Sequence, residues 1–394
     1  MISTNHMANK IQLKGITWGH SRGLLPMLAT AQRYEELHPD VEILWKKRTL
    51  QEFADKSIEQ LAAEYDLLVI DHPWTGHAAA KKIIVPFDDH LDGAYLADQK
   101  LNSVGQSYPS YNFEEKQWAL PIDAATPVAV SRPDLLSDLG TALPKTFADV
   151  LALADQGRVA FSLLPIDVLM SFYMFCCSLG EDPCQQENEV ISSAVGIKAL
   201  QQFKALADRV DARFYQKNPF MVFEEMVNGD EIAYCPFAYG YSNYARDGYA
   251  RKLLHFHDLV ILQGSEPMKS TLGGAGLAIS AGCKHLDIAM DYAQFVGSPE
   301  VQATLYVDNG GQPGHLKAWE SIEVNRRTSN FFLETLPTLQ RAFLRPRYFG
   351  HMHFQDYAGD VVVEYLKNGG DEQSVLNTLN DMYKKSRLME EQHA

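Results

Sequence analysis

Gly273-Gly274-Ala275-Gly276-Leu277-Ala278-Ile279-Ser280 opens the stretch whose reading decides the fold. It continues through a helical run to Ser298-Pro299-Glu300-Val301-Gln302 and closes on Gly310-Gly311-Gln312-Pro313. Gly273-Gly274-x-Gly276 is not a dinucleotide fingerprint, because a short strand follows it where a helix would have to start. The glycines instead let the backbone approach a ligand closely or cross between lobes. An amphipathic helix, a capped helix at Ser298 and a Gly-Gly-x-Pro stop complete the segment.

Working outward, the N-terminal third alternates strand and helix. Ile11 to Thr17 reads as a strand, and Leu24, Met27, Leu28 and Ala31 form one apolar face of the helix after it. Val41, Ile43 and Trp45 alternate with Glu42, Leu44 and Lys46 as a second strand. Ser57 with Gln60 is a capping-box signature, and Leu67-Leu68-Val69-Ile70 is apolar throughout, as a strand covered on both faces must be. That order predicts a parallel sheet whose ligands lie beyond the carboxyl ends of its strands. Three loops are thereby selected: Trp18 to Gly23, Lys46-Lys47-Arg48, and Asp71-His72-Pro73-Trp74.

Further along, Gln117 to Asp123 leads into the strand Val128-Ala129-Val130, and Pro144-Lys145-Thr146 with Asp149 reads as a turn into a capped helix. Ile166 to Cys177, and Leu200, Phe203, Ala207 and Val210, suggest further helices. Phe223 to Tyr234 reads as a helix that stops at Gly229 and turns into a strand. Asp356 to Leu388 is helical by pattern, with a break at Gly369-Gly370.

At 394 residues the chain exceeds what one hydrophobic core supports, so two lobes are expected. No segment approaches the ~20 apolar residues of a membrane helix, so the chain is not membrane-embedded. The net charge of -15, with no basic patch to override it, argues against nucleic-acid and anionic-membrane partners. Met1 to Lys10 carries no apolar core of a signal peptide, and the five cysteines (Cys176, Cys177, Cys184, Cys235, Cys283) form no disulfide or zinc spacing. Both readings point to the cytoplasm, with a periplasmic or extracellular location as the alternative if a signal was removed.

Taken together these segments resemble the family 1 extracellular solute-binding proteins, the sugar-binding components of bacterial ABC importers, over nearly the whole chain. The resemblance rests on Tyr34-Glu35-Glu36-Leu37-His38-Pro39, Ile83 to Asp89, Lys116 to Pro121, Pro144 to Val150, Gly229 to Tyr234, and Gly273 to Pro313. It implies an α/β, two-lobed periplasmic-binding-protein-like fold of type II, a Venus flytrap that closes on a small-molecule ligand held between its lobes. One lobe would hold 10–122 plus 275–312 and the other 123–274 plus 313–394. No cofactor is implied, and a monomer is expected, with an ABC permease as partner if the chain is exported.

The candidate ligand contacts are Trp18, His20, Arg22, Arg48, Asp71, His72, Asp123, Tyr239, Tyr241, Gly274 and Arg345. Trp18 can stack on a sugar ring, as can Trp74, or either can be a packing residue at the sheet edge. Arg22, near a helix N-terminus, and Arg48 suit a carboxylate, sulfonate or phosphate, or Arg48 is a solvated surface charge. Asp71 can accept sugar hydroxyls, orient His72 as a general base, or cap the next helix. Asp123 would reach the ligand from the second lobe. Tyr239 and Tyr241 follow a strand where the family places aromatic contacts, and Arg345 with Tyr348 comes from the final segment.

Two signals are set aside. His351-x-His353 with Asp356 would aim two rings to one side of a strand but lacks a third ligand, so no metal is expected. Cys235 at a strand end reads as an apolar filler before a nucleophile.

Two functions remain open on these residues. One is binding of a sugar, sugar acid or similar hydroxylated anion. The other is a cytoplasmic enzyme on the same scaffold, with His72 and Asp71 as catalytic residues acting by acid–base chemistry on a carboxylated substrate.

Overall fold

The computed structural model of the protein describes residues 10–48 and 57–391. Its contacts divide into two compact units, Met1–Ala124 with Gly274–Ser321, and Ala125–Gly273 with Ile322–Ala394. The sequence expectation set the crossings at 122/123, 274/275 and 312/313. In the structure Asp123 bridges Pro313, and Ala124 N–H donates to the Gln312 carbonyl, so Asp123 and the Gly-Gly-Gln-Pro stop belong to the first unit.

Among the described residues ten strands follow in chain order. They are β1 (Ile11–Trp18), β2 (Val41–Arg48), β3 (Leu67–Ile70), β4 (Asn112–Phe113), β5 (Lys116–Gln117), β6 (Leu120–Ala125), β7 (Pro127–Ser131), β8 (Tyr234–Tyr239), β9 (His255–His257) and β10 (Gly273–Ile279). No helix among the described residues is long and apolar enough to cross a membrane.

The first unit is built on a five-stranded sheet in the order β2-β1-β3-β10-β6. β1 runs parallel to β2 and to β3, while β10 enters antiparallel against β3. The wholly apolar β3 is buried at every position, as its place in mid-sheet requires. β2 buries Val41, Ile43 and Trp45 and turns Leu44 and Lys46 outward, so its alternation reports its orientation.

The helix Ser21–Leu37 buries Gly23, Pro26, Met27, Thr30, Ala31 and Tyr34. This differs from the expected face, since Leu28 is 42% exposed. The helix is rotated because its polar side chains find partners inside. Thr30 Oγ1 donates to the Pro26 carbonyl at 2.8 Å, and the Tyr34 hydroxyl donates to Asp291 at 2.6 Å. Tyr292 lies 3.0 Å from Thr30 Oγ1 and accepts from the Trp45 indole N–H at 3.2 Å, which ties this helix to β2 and to the helix Leu286–Gly297.

The second unit carries the antiparallel sheet β8-β7-β9. Residues 159–163 begin beside β8 with a parallel bridge between Val159 and Tyr234. Helices Pro165–Ser178, Ser193–Ala207, His351–Asn368 and Glu372–Glu391 pack on one another. Phe161, Phe175, Phe203 and Phe237 fill the space beneath the sheet with ring centroids 5.1–6.3 Å apart. The reciprocal bonds of the Thr146–Asp149 and Ser57–Gln60 capping boxes are present.

Candidate functional site

The carboxyl ends of β1, β2 and β3, with β6 and the start of β10, bring Trp18, His20, Arg22, Arg48, Asp71, His72, Asp123 and Gly274 to one edge of the first unit. Trp18 ends β1 opposite Arg48 on β2. Its indole is half-buried and lies on Gly23, where a Cβ would stand 2.4 Å from the ring. Only glycine at that point leaves room for the indole, which also packs against the apolar core of this unit.

His20 caps the helix Ser21–Leu37 by accepting the Arg22 N–H at Nδ1, at 3.0 Å. Burial, with the Arg22 charge beside it, lowers its pKa to about 4. The ring is therefore neutral at pH 7, and with Nδ1 occupied as an acceptor its proton sits on Nε2.

Arg22 and Asp123 form a buried ion pair, 5% and 2% exposed. Arg22 Nε donates to Asp123 Oδ2 at 3.0 Å and Nη2 donates to Oδ1, a two-pronged geometry. This corrects two expectations. Asp123 does not approach from the second lobe, because the pairing of β6 with the Gln312-Pro313 segment keeps it in the first unit. Arg22 is not an open anion clamp, because its charge is matched by Asp123. Burial pushes the Asp123 carboxyl up while Arg22 pulls it down. The buried Tyr306 ring stands in the field of both, and its hydroxyl makes no hydrogen bond among the described residues.

Arg48 is also buried, and desolvation pushes its pKa down to about 10, so it stays charged at pH 7. Asp71 follows β3 and caps the turn His72–Trp74, its Oδ1 accepting the His72 N–H at 2.9 Å. His72 Nδ1 lies 3.4 Å from the same oxygen, but the ring is 0% exposed and sits edge-on to Tyr111 at 6.3 Å. An imidazole with no accessible face cannot take a proton from a substrate, so the proposed His72–Asp71 acid–base pair has no route to one here. Trp74 is half-buried, edge-on to His77 at 5.5 Å.

Gly274 opens this edge from the other direction of the chain. With φ at +102° and its would-be Cβ 2.3 Å from the Asp123 carbonyl oxygen, no other residue fits.

In the second unit Tyr239 ends β8 half-exposed, its ring against Gly273. Tyr241 is half-buried, edge-on to Phe220 at 6.1 Å and Phe223 at 6.3 Å. Arg345 is a correction. It is 3% exposed and braces the interior, Nε donating to the Leu272 carbonyl and Nη1 to Gln355. Tyr348 is likewise buried, its hydroxyl 2.7 Å from Ser386.

His351 and His353 lie on a helix rather than a strand, which turns them to different sides, His351 buried and His353 exposed. Cys235 is buried in β8, where desolvation holds its thiol protonated. One group escaped sequence reasoning. Asp167, in the first turn of the helix Pro165–Ser178, accepts Ser162 Oγ at 2.6 Å, and desolvation pushes its pKa up to about 6. Its partner Ser162 lies in the irregular segment before the helix, which no sequence pattern marks.

The profile of the bacterial extracellular solute-binding proteins matches residues 29–331. Maltose-bound MalE3 of T. maritima superposes with a TM-score of 0.82 at 17% identity, over 95% of this chain and 99% of that one. A solute-binding protein of an ABC transporter from Agrobacterium radiobacter K84, in complex with ribitol, gives 0.81 at 17% identity over 95% and 98%. Another from Thermotoga lettingae TMO, bound with alpha-D-tagatose, gives 0.80 at 17% over 96% and 100%. At these identities the likeness is one of fold. The chain thus belongs to the bacterial extracellular solute-binding protein family and has the α/β fold of its two-lobed members.

Proposed function

We propose that the protein binds a neutral sugar or polyol, as the solute-binding component of an ABC importer. The observation that carries this reading is Trp18, half-buried and seated on Gly23 at the carboxyl edge of the first sheet. An indole so placed stacks on the apolar face of a sugar ring, while His20 and Asp71 beside it offer a donor and an acceptor to hydroxyls. The fold relatives bound to maltose, ribitol and alpha-D-tagatose support the ligand class.

A neutral ligand is favoured over a sugar acid because Arg22 already has its carboxylate in Asp123 and the chain as a whole carries -15. Tyr239 and Tyr241 are the contacts proposed from the second unit. The importer role requires a place outside the cytoplasm, against the reducing compartment that the five free thiols suggest, and fractionation of the native cells decides between the two.

Calorimetry against maltose, ribitol, D-tagatose and D-glucose tests the function. A dissociation constant in the micromolar range, about -8 kcal/mol, is expected for at least one of them. Failure of all four to bind below about 1 mM would overturn the reading.

A further inference from the structure

We infer that Asp123 sets the charge preference of this ligand edge: by matching Arg22 it makes the site accept neutral rings and refuse sugar acids. The inference rests on the carbohydrate-binding reading and adds a residue that decides specificity. Its basis is the placement of the pair. Arg22 is the second residue of the helix that follows the Trp18 loop, and its guanidinium carbon lies 6.0 Å from the Trp18 ring centroid. A ligand carboxylate on a ring stacked there would stand within Coulomb range of that guanidinium without touching it.

In the native protein such a carboxylate meets a matched pair, whose fields nearly cancel. At the helix N-terminus the Arg22 N–H is already taken by His20 Nδ1, so it cannot bond the carboxylate directly. The surrounding net charge of -15 then adds repulsion. Removing the negative member changes the sign of the site. Asp123→Asn keeps the shape and an acceptor for Arg22, but leaves one positive charge under the indole, in surroundings that screen it poorly because both side chains are buried. Arg48 is charged and identical in both proteins, so it drops out of the shift between them, though it bears on the native ratio itself.

The test is a matched pair of probes, D-glucose and D-glucuronate, titrated by calorimetry into the native protein and into Asp123→Asn. In the native protein glucose is expected to bind at least about tenfold tighter than glucuronate. In Asp123→Asn the ratio of the two constants should move toward glucuronate by about tenfold or more, the effect of one uncancelled charge at this range. Arg22→Met with Asp123→Leu, which removes both charges, should keep the native ratio.

A native protein that takes glucuronate as well as glucose, or a ratio unmoved in Asp123→Asn, overturns the inference and leaves carbohydrate binding standing. Binding of neither glucose nor any other neutral probe overturns the carbohydrate reading itself. If Asp123→Asn does not fold, the native protein still decides. Raising NaCl from about 50 to about 500 mM should leave glucuronate affinity unchanged or improve it, and a fall would reveal an unmatched cation facing the ligand.

Discussion

Gly274 and Asp123 touch backbone to backbone, with the position of a Cβ on Gly274 only 2.3 Å from the Asp123 carbonyl oxygen. A side chain there collides with main chain that cannot swing away, and the φ of +102° is strained for any L-residue. Gly274→Ala should therefore destabilise the protein by roughly 2 kcal/mol or more, read as a lower urea midpoint. A midpoint equal to the native one would show that β6 and β10 shift apart freely.

The Arg22–Asp123 pair should cost far more to halve than to remove. Asp123→Ala leaves a buried guanidinium without its carboxylate and should lose about 3–5 kcal/mol in denaturant unfolding. Arg22→Met with Asp123→Leu replaces both by apolar groups and should recover most of that loss. Equal losses in the two proteins would mean that the charges are hydrated after all.

Ligand affinity should follow the indole. Trp18→Ala is expected to weaken sugar binding by about ten- to a hundredfold, the worth of a stacked aromatic. Gly23→Ala keeps the indole but lifts it from its seat, since the new Cβ would meet the ring at 2.4 Å. It should weaken the same binding by several-fold, and unchanged constants in both variants would remove Trp18 from the site.

Acid should act oppositely on two buried groups. His20 titrates near 4 in the folded protein against 6.5 when unfolded, so its neutral form is favoured by folding. Its contribution is present above 6.5 and lost as pH falls toward 4, roughly 2 kcal/mol at most. Asp167 is raised from 3.8 to about 6, so its contribution is present below 3.8 and lost as pH rises through 6. In unfolding measured from pH 4 to 7, His20→Asn should flatten the rise of stability with pH. Asp167→Asn should steepen it, and identical profiles in all three proteins would refute both assignments.

What sequence made legible here was local. The alternation Val41, Ile43, Trp45, the closed apolar run Leu67 to Ile70, and the capping pairs Ser57–Gln60 and Thr146–Asp149 each depend on neighbours within a few positions, and each folds as its pattern says. Partnerships across long stretches of chain were not legible. Arg22 and Asp123 stand 101 positions apart, and nothing near either one announces the other. Arg345 read as a ligand contact because its partners, the Leu272 carbonyl and Gln355, come from different elements. His351 and His353 misled for another reason, since two positions share a face on a strand and oppose each other on a helix. The candidate edge was found by the rule for parallel sheets, but which of its charges are spent inside the protein only the fold reveals.

The insertion of β10 between β3 and β6 imposes an order on biosynthesis. A ribosome must make everything from Ala125 to Gly273 before the strand that joins the two parts of the first sheet exists. At about 5–20 residues per second that is a wait of roughly 7–30 s. Meanwhile β3 and β6 present unpaired amide edges to every other nascent chain in the cell. The N-terminal segment is thus a natural client for a holding chaperone, and messages cut short before codon 273 should yield protein found in aggregates rather than in solution.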